Sequence, residues 1–272
     1  MNRRKFITLS AATCCSMFLP SCATNPVTER KQLLIYPESF INKQSEVFYK
    51  NFLKRSKISK DEENTKLMNL IAKDIIKSVD NYFERINIPN PTLEYNWEYK
   101  LIEDKQANAF CAPGGKIAVY TGILKYTKNK DGLAAVMGHE IAHAVAKHSA
   151  ERMSRAIATE TGFAVADVIT GGVAGQARQV FSDMTGQDIL NLSVMKTHGR
   201  KQESEADYMG LAFCSMSGYD LNESVRLWKR MNEKNKGKEI PQFLSTHPSS
   251  VTRILQIRGW IPEIKSKFPY SL

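Results

Sequence analysis

Three residues in the run His139-Glu140-Ile141-Ala142-His143 have the types and spacing to do hydrolytic chemistry. Residues four apart share one face of an α-helix, so His139 and His143 can reach one metal ion together. Glu140 projects beside that ion and suits the role of general base for a water activated there. Two imidazoles alone make a weak zinc site, so a third ligand must come from elsewhere in the chain. The stretch Gly199-Arg-Lys-Gln-Glu-Ser-Glu-Ala-Asp207 opens a second predicted helix that Gly218 can stop. Glu203, Asp207 and Gly210 recur on one face of it. Glu203 can complete the coordination, and Asp207, one turn later, can orient a ligand histidine. Glu205 lies about 200° round the same helix and is expected to face solvent.

The elements that must position these residues can be read from the pattern around them. Asn129 or Asp131 can cap the first helix, Leu133, Val136, Met137 and Ile141 give it an apolar stripe, and nothing breaks it before about residue 158. Gly138 costs about 1 kcal/mol of helix propensity against Ala, which a close-packing role would explain. His148 falls about 140° from His143 round this helix, and His198 sits beside Gly199 in an expected loop; both are expected to be solvated. Residues 38–57, 61–83, 221–231 and 249–259 read as further helices. The aromatic-rich run Leu93 to Ile102 reads as a strand, Pro113-Gly114-Gly115 as a turn, and Lys116 to Tyr120 as a second strand. A sheet edge here could take up an extended peptide through its unpaired backbone groups. Residues 161–188, rich in Gly and Ala, read as a loop or short helices covering the cleft, or as packing filler. The fold class expected is α+β, mainly helical, with a small sheet beside the active-site helix.

Taken together, HEIAH and RKQESEAD about sixty residues later resemble the gluzincins of metallopeptidase family 48, which include the HtpX-like and CaaX-prenyl-protease-like enzymes. The small periplasmic lipoproteins of that family are the nearest resemblance. Asn25-Pro-Val-Thr-Glu-Arg-Lys-Gln-Leu33 is similar to the segment that follows their lipidated cysteine. Asn108-Ala-Phe-Cys-Ala-Pro113-Gly114-Gly115-Lys-Ile-Ala-Val-Tyr-Thr-Gly122 is similar to their substrate-edge segment, and Ser245-Thr-His247-Pro-Ser-Ser-Val-Thr-Arg253 to their C-terminal His-Pro motif. The resemblance implies one Zn2+ per chain on His139, His143 and Glu203, with Glu140 as general base. It places His247 near the zinc, as an oxyanion donor or a closing ligand; Arg253, six residues on, could pair with Asp207 or support the site. Asn108, Pro113, Gly114 and Gly115 would align substrate. The implied activity is a zinc-dependent endopeptidase acting on extended or misfolded envelope polypeptides. From another class, an envelope chaperone or assembly factor with a structural or latent zinc site is the alternative.

The N-terminus bears on compartment. Basic Arg3, Arg4 and Lys5 precede an apolar run, Phe6 to Leu19, of signal-peptide length and short for a membrane span. Leu19-Pro-Ser-Cys22 resembles a lipobox, although Pro20 is atypical. Arg3-Arg4 with Phe6 also resembles a twin-arginine signal, leaving either export route open. The expected organisation is a signal peptide over 1–21, a lipid-anchored segment from Cys22 to 37, and the zinc metallopeptidase domain over 38–272. Ala23 after Cys22 implies the periplasmic face of an outer membrane. Cys111 and Cys214 remain in the mature chain without ligand-like spacing. A formal net charge of +10 could favour anionic lipid surfaces. The basic residues are dispersed with no basic-aromatic motif, so nucleic acid is not an expected partner.

Overall fold

A computed structural model describes residues 21–25, 28–156, 197–234 and 241–270. The segment 161–188 and the signal-like residues 1–20 lie outside them. In chain order come β1 (Ser21–Thr24) and β2 (Lys31–Leu34), then α1 (Glu38–Arg55) and α2 (Glu62–Arg85). A sheet follows, of β3 (Glu98–Ile102), β4 (Ala109–Ala112) and β5 (Lys116–Tyr120). Next are a short α3 (Leu124–Thr127), the HEIAH helix α4 (Lys130–Val145), and a helix α5 described over residues 148–156. The last four are α6 (Arg200–Met216), α7 (Asn222–Lys234), α8 (Gln242–Thr246) and α9 (Val251–Lys267). The described chain is mainly helical with a small sheet, as expected.

Local chemistry accounts for the helix boundaries. Asn129, rather than Asp131, caps α4: its Oδ1 accepts from Gly132 N at 2.8 Å. Asp61 caps α2 in the same way through Asn64 N. Met68, Ile71, Ile75, Val79 and Tyr82 of α2 are buried at helical spacing against the core. Every residue of α4 from Gly132 to Val145 is buried, so this helix has no solvent face and forms the centre of the molecule. Helix α9 runs past the expected stop at Gly259 because Ile261, Ile264 and Phe268 continue its buried stripe.

Two sequence expectations are corrected here. The run from Leu93 does not form a long strand: Leu93 is 78% exposed, Tyr95 N donates to Thr92 O in a turn, and pairing starts only at Glu98. Nor does the catalytic helix run unbroken to 158. It ends at Val145, and Lys147 adopts φ 57°, a left-handed conformation that is uncommon for lysine. The chain turns there before becoming helical again at residue 148, which redirects His148.

In the sheet, β5 is central, parallel to β3 and antiparallel to β4, which leaves β4 as an edge strand against α4. The turn from β4 to β5 needs Gly114 and Gly115, at φ 74° and 81°, and a Cβ on Gly115 would meet the Trp97 ring at 2.6 Å. β1 and β2 form a separate antiparallel ribbon, with Cys22 opposite Leu33. No described helix is long and apolar enough to cross a membrane.

The contact that sets the site is α4 against α6. A Cβ on Gly138 would stand 2.9 Å from Cys214 Sγ and 3.1 Å from Gly210 O, and one on Gly210 would stand 2.9 Å from His139 N. The two glycines let the backbones approach until His139 faces Glu203 and Asp207. Gly138→Ala should therefore destabilise the protein by about 1–3 kcal/mol, through overpacking, despite the better helix propensity of alanine. Equilibrium urea unfolding checks this; a gain in stability would show that the helices have room to spare.

Candidate active site

Four donor side chains converge between α4, α6 and the residue that ends α8. His139 Nε2 and His143 Nε2 lie 3.0 Å apart. Glu203 reaches both, with Oε2 at 3.5 Å from His139 Nε2 and Oε1 at 3.3 Å from His143 Nε2. His247 Nδ1 completes the group, 3.2 Å from His139 Nε2 and 3.0 Å from Glu203 Oε1. All four residues are at least 95% buried. Ligands at about 2.0–2.1 Å from a tetrahedral ion are separated by about 3.3–3.4 Å, and the observed separations scatter around that value. Three ring nitrogens facing one another at such distances cannot all be satisfied by mutual hydrogen bonds. The donor set fits a metal ion.

Burial and neighbouring charges set the ionisation of these groups in different directions. Burial disfavours charge on His139, yet its contacts with Asp207 and Glu203 outweigh that and raise it to about 9. Burial opposes ionisation of Glu203, but neighbouring His247 and Arg253 hold its carboxyl well below the usual range. Burial and the nearby His139 push His143 well below the ordinary imidazole value, so it is neutral, as a ligand must be. Two buried carboxylates, Glu203 and Asp207, thus face the imidazoles, with Arg253 against both.

Asp207 does what its helical position suggested: Oδ1 lies 3.0 Å from His139 Nδ1, on the ring edge away from the cluster. Arg253 in turn grips Asp207 through Nε at 2.5 Å and Nη2 at 2.8 Å, contacts Glu203 Oε2 at 2.5 Å, and lies over the Trp228 ring. Trp228, Phe243, His247 and His198 form a stack of near-parallel rings that fixes the His247 plane.

Glu140 points beside the cluster. Its Oε1 lies 3.2 Å from His247 Nε2 and has no hydrogen-bond partner among the described residues. Burial, its largest influence, raises its pKa, while His247 and His139 pull the other way. A small cleft runs past it, lined by Asn108 to Cys111 of the edge strand and by Arg152, His198 and His247. Asn108 is buried, with its Oδ1 accepting from Ala109 N. Pro113 lies on a neighbouring apolar pocket with Tyr95 and Tyr36, while Gly114 and Gly115 are accounted for by the turn itself. Cys111 and Cys214 are both free and buried, so they form no disulfide. Cys22 lies in the β1 ribbon, away from these residues in sequence.

Three residues contradict their expected exposure. His148 is fully buried, and His198 is 6% exposed. The turn at Lys147 returns His148 Nδ1 to 2.7 Å from His143 Nδ1, which an unbroken helix could not do. His198 packs on the rings of His143 and His247 and contacts Arg152. Glu205, expected in solvent, is buried and lies 2.8 Å from His148 Nε2. It faces away from Glu203 as its helical angle requires, but the N-terminal segment covers that side. The histidine after Ala-Lys was the only hint in the sequence, and its meaning depends on a bend with no Gly or Pro to announce it.

The sequence profile of Peptidase family M48 matches residues 69–261, which is most of the chain. The chain belongs to Peptidase family M48. Its likeness to curated members is broad. It is 39% identical over 196 residues to the mitochondrial metalloendopeptidase OMA1 of Schizosaccharomyces pombe, covering 70% of this chain and 54% of that protein. It is 28% identical over 278 residues to the Saccharomyces cerevisiae protein of the same name, covering 99% and 78%. A putative beta-barrel assembly-enhancing protease of Vibrio cholerae is 28% identical over 190 residues, covering 66% and 38%. The chain thus spans about half the length of the fission-yeast relative. As an M48 member it is metal-dependent, and the cluster just described is where its residues could hold the ion. Asp207→Asn should weaken metal binding by about 10–100-fold while leaving the helical far-ultraviolet spectrum unchanged. Competition with a chromophoric chelator measures this, and unchanged affinity would remove Asp207 from the site.

Proposed function

We propose that this protein is a zinc-dependent endopeptidase, with His139, His143 and Glu203 holding the ion and Glu140 serving as general base. The observation that carries this reading is the placement of Glu140. It is a buried carboxylate with an oxygen left unpartnered, beside three converging donors and at the wall of a cleft. When bound, zinc supplies a Lewis acid that activates a water and polarises the scissile carbonyl. Glu140 accepts the proton that the attacking water loses and delivers it to the departing amine nitrogen. Its raised pKa suits it to hold that proton between the two transfers. His247 Nε2 faces the same space and can donate to the developing oxyanion. Asp207 holds His139 in orientation, Arg253 holds Asp207, and edge strand β4 can align an extended substrate by backbone pairing.

The substrates best matched to backbone recognition are extended polypeptides, here unfolded or misassembled envelope proteins. This is supported by the lipobox-like Cys22, which would tether the chain by lipid to the inner leaflet of an outer membrane, and by the likeness to the putative beta-barrel assembly-enhancing protease of Vibrio cholerae. One observation favours a second reading, an assembly factor with a latent site. His247 Nδ1 stands where a fourth ligand would stand and would close the position that a water needs. Glu140→Gln separates the two. Casein cleavage should fall by at least about 10³-fold with zinc content unchanged; equal zinc with equal cleavage would overturn the mechanism, and an unaltered biological role would favour the assembly factor.

A further inference from the structure

We propose that Arg30 is a positioning residue for the metal site, acting on His143 through Glu205 and His148. This rests on the reading of His143 as a ligand. With Nε2 turned to the cluster, His143 has Nδ1 left to donate, and His148 Nδ1 lies 2.7 Å away. One proton sits between two ring nitrogens. Placed on His143, it leaves His148 Nδ1 as acceptor and puts the His148 proton on Nε2, which donates to Glu205 Oε2 at 2.8 Å. Glu205 must then be ionised. Arg30 meets both its oxygens, Nε at 2.6 Å and Nη2 at 3.0 Å, and Thr28 Oγ1 donates at 2.9 Å. Each donor along this line has an acceptor, ending on a guanidinium.

Arg30 is itself held. Its other side forms a bidentate pair with Glu151, Nη1 and Nη2 each at 2.7 Å, and Glu151 is fully buried. Gln32 Nε2 donates to Ala146 O, in the turn that returns His148 to the site, and Ile35 N donates to Ser154 Oγ. The two histidines of the HEIAH pentad are thus backed alike. His139 rests on Asp207 clamped by Arg253; His143 rests on His148 and then Glu205, clamped by Arg30. One arginine comes from the C-terminal helix and the other from the residue just before β2. Such backing fixes the tautomer and orientation of a ligand imidazole and raises its basicity.

Zinc affinity of the full-length protein, measured by competition with a chromophoric chelator, tests the proposal. Arg30→Gln, Glu205→Gln and His148→Gln should each weaken zinc binding by about 10–100-fold. In a His148→Gln background, Arg30→Gln should add less than about threefold, because the connection is already cut. Glu151→Gln, which removes the other ion pair of Arg30, should lower the melting temperature but change affinity by less than about threefold. An Arg30→Gln protein with wild-type affinity overturns the proposal, as does a loss of the same size with and without His148. If Arg30→Gln fails to fold, Glu205→Gln carries the test, and full affinity there overturns it equally. Wild-type zinc binding that survives His139→Ala would instead refute the ligand assignment, and the proposal with it.

Discussion

Four ionisable side chains, His139, His143, Glu203 and His247, are held almost out of water with their donor atoms all within 4.8 Å of one another. Charged and polar groups in such a place are costly unless something answers them. The rest of the structure can be understood as that answer. The glycine contact between α4 and α6 brings the donors within reach. The ring stack from Trp228 to His198 holds His247 in plane, and two arginines neutralise the carboxylates behind the imidazoles.

Burial separates the roles of chemically similar residues. Glu203 and Glu140 are both buried carboxylates, but Glu203 lies against Arg253 and stays ionised, whereas burial dominates at Glu140 and raises its pKa. One is suited to hold a cation, the other to trade a proton. The histidines divide similarly. His143 has a neutral histidine behind it, while His139 has a carboxylate.

How far the site could be read in advance depended on whether its signal was local. His139, Glu140 and His143 lie within one helical turn and a half, and Glu203 and Asp207 within one turn of another helix, so their spacing alone placed them on common faces. Arg253 could pair with Asp207 or support the site, and in the fold it contacts Asp207. His148, His198 and Glu205 are buried rather than solvated because spacing describes only a residue's own element. The helical angle was right for Glu205, but angle says nothing about which segment covers that face.

What the sequence by itself determined is the chemistry: HEIAH with a distant Glu203, a helical majority from apolar periodicity, and a turn at Pro113-Gly114-Gly115. These follow from short-range geometry, which repeats wherever the same spacing occurs. Only the tertiary structure decided that α4 breaks at Lys147, that His148 returns to His143, and that Arg30 reaches Glu205. A left-handed lysine has no reliable sequence signal, and a salt bridge between residues 175 positions apart depends on the packing of everything between them. The pentad names the ion-binding face; the fold supplies the two arginines that hold it still.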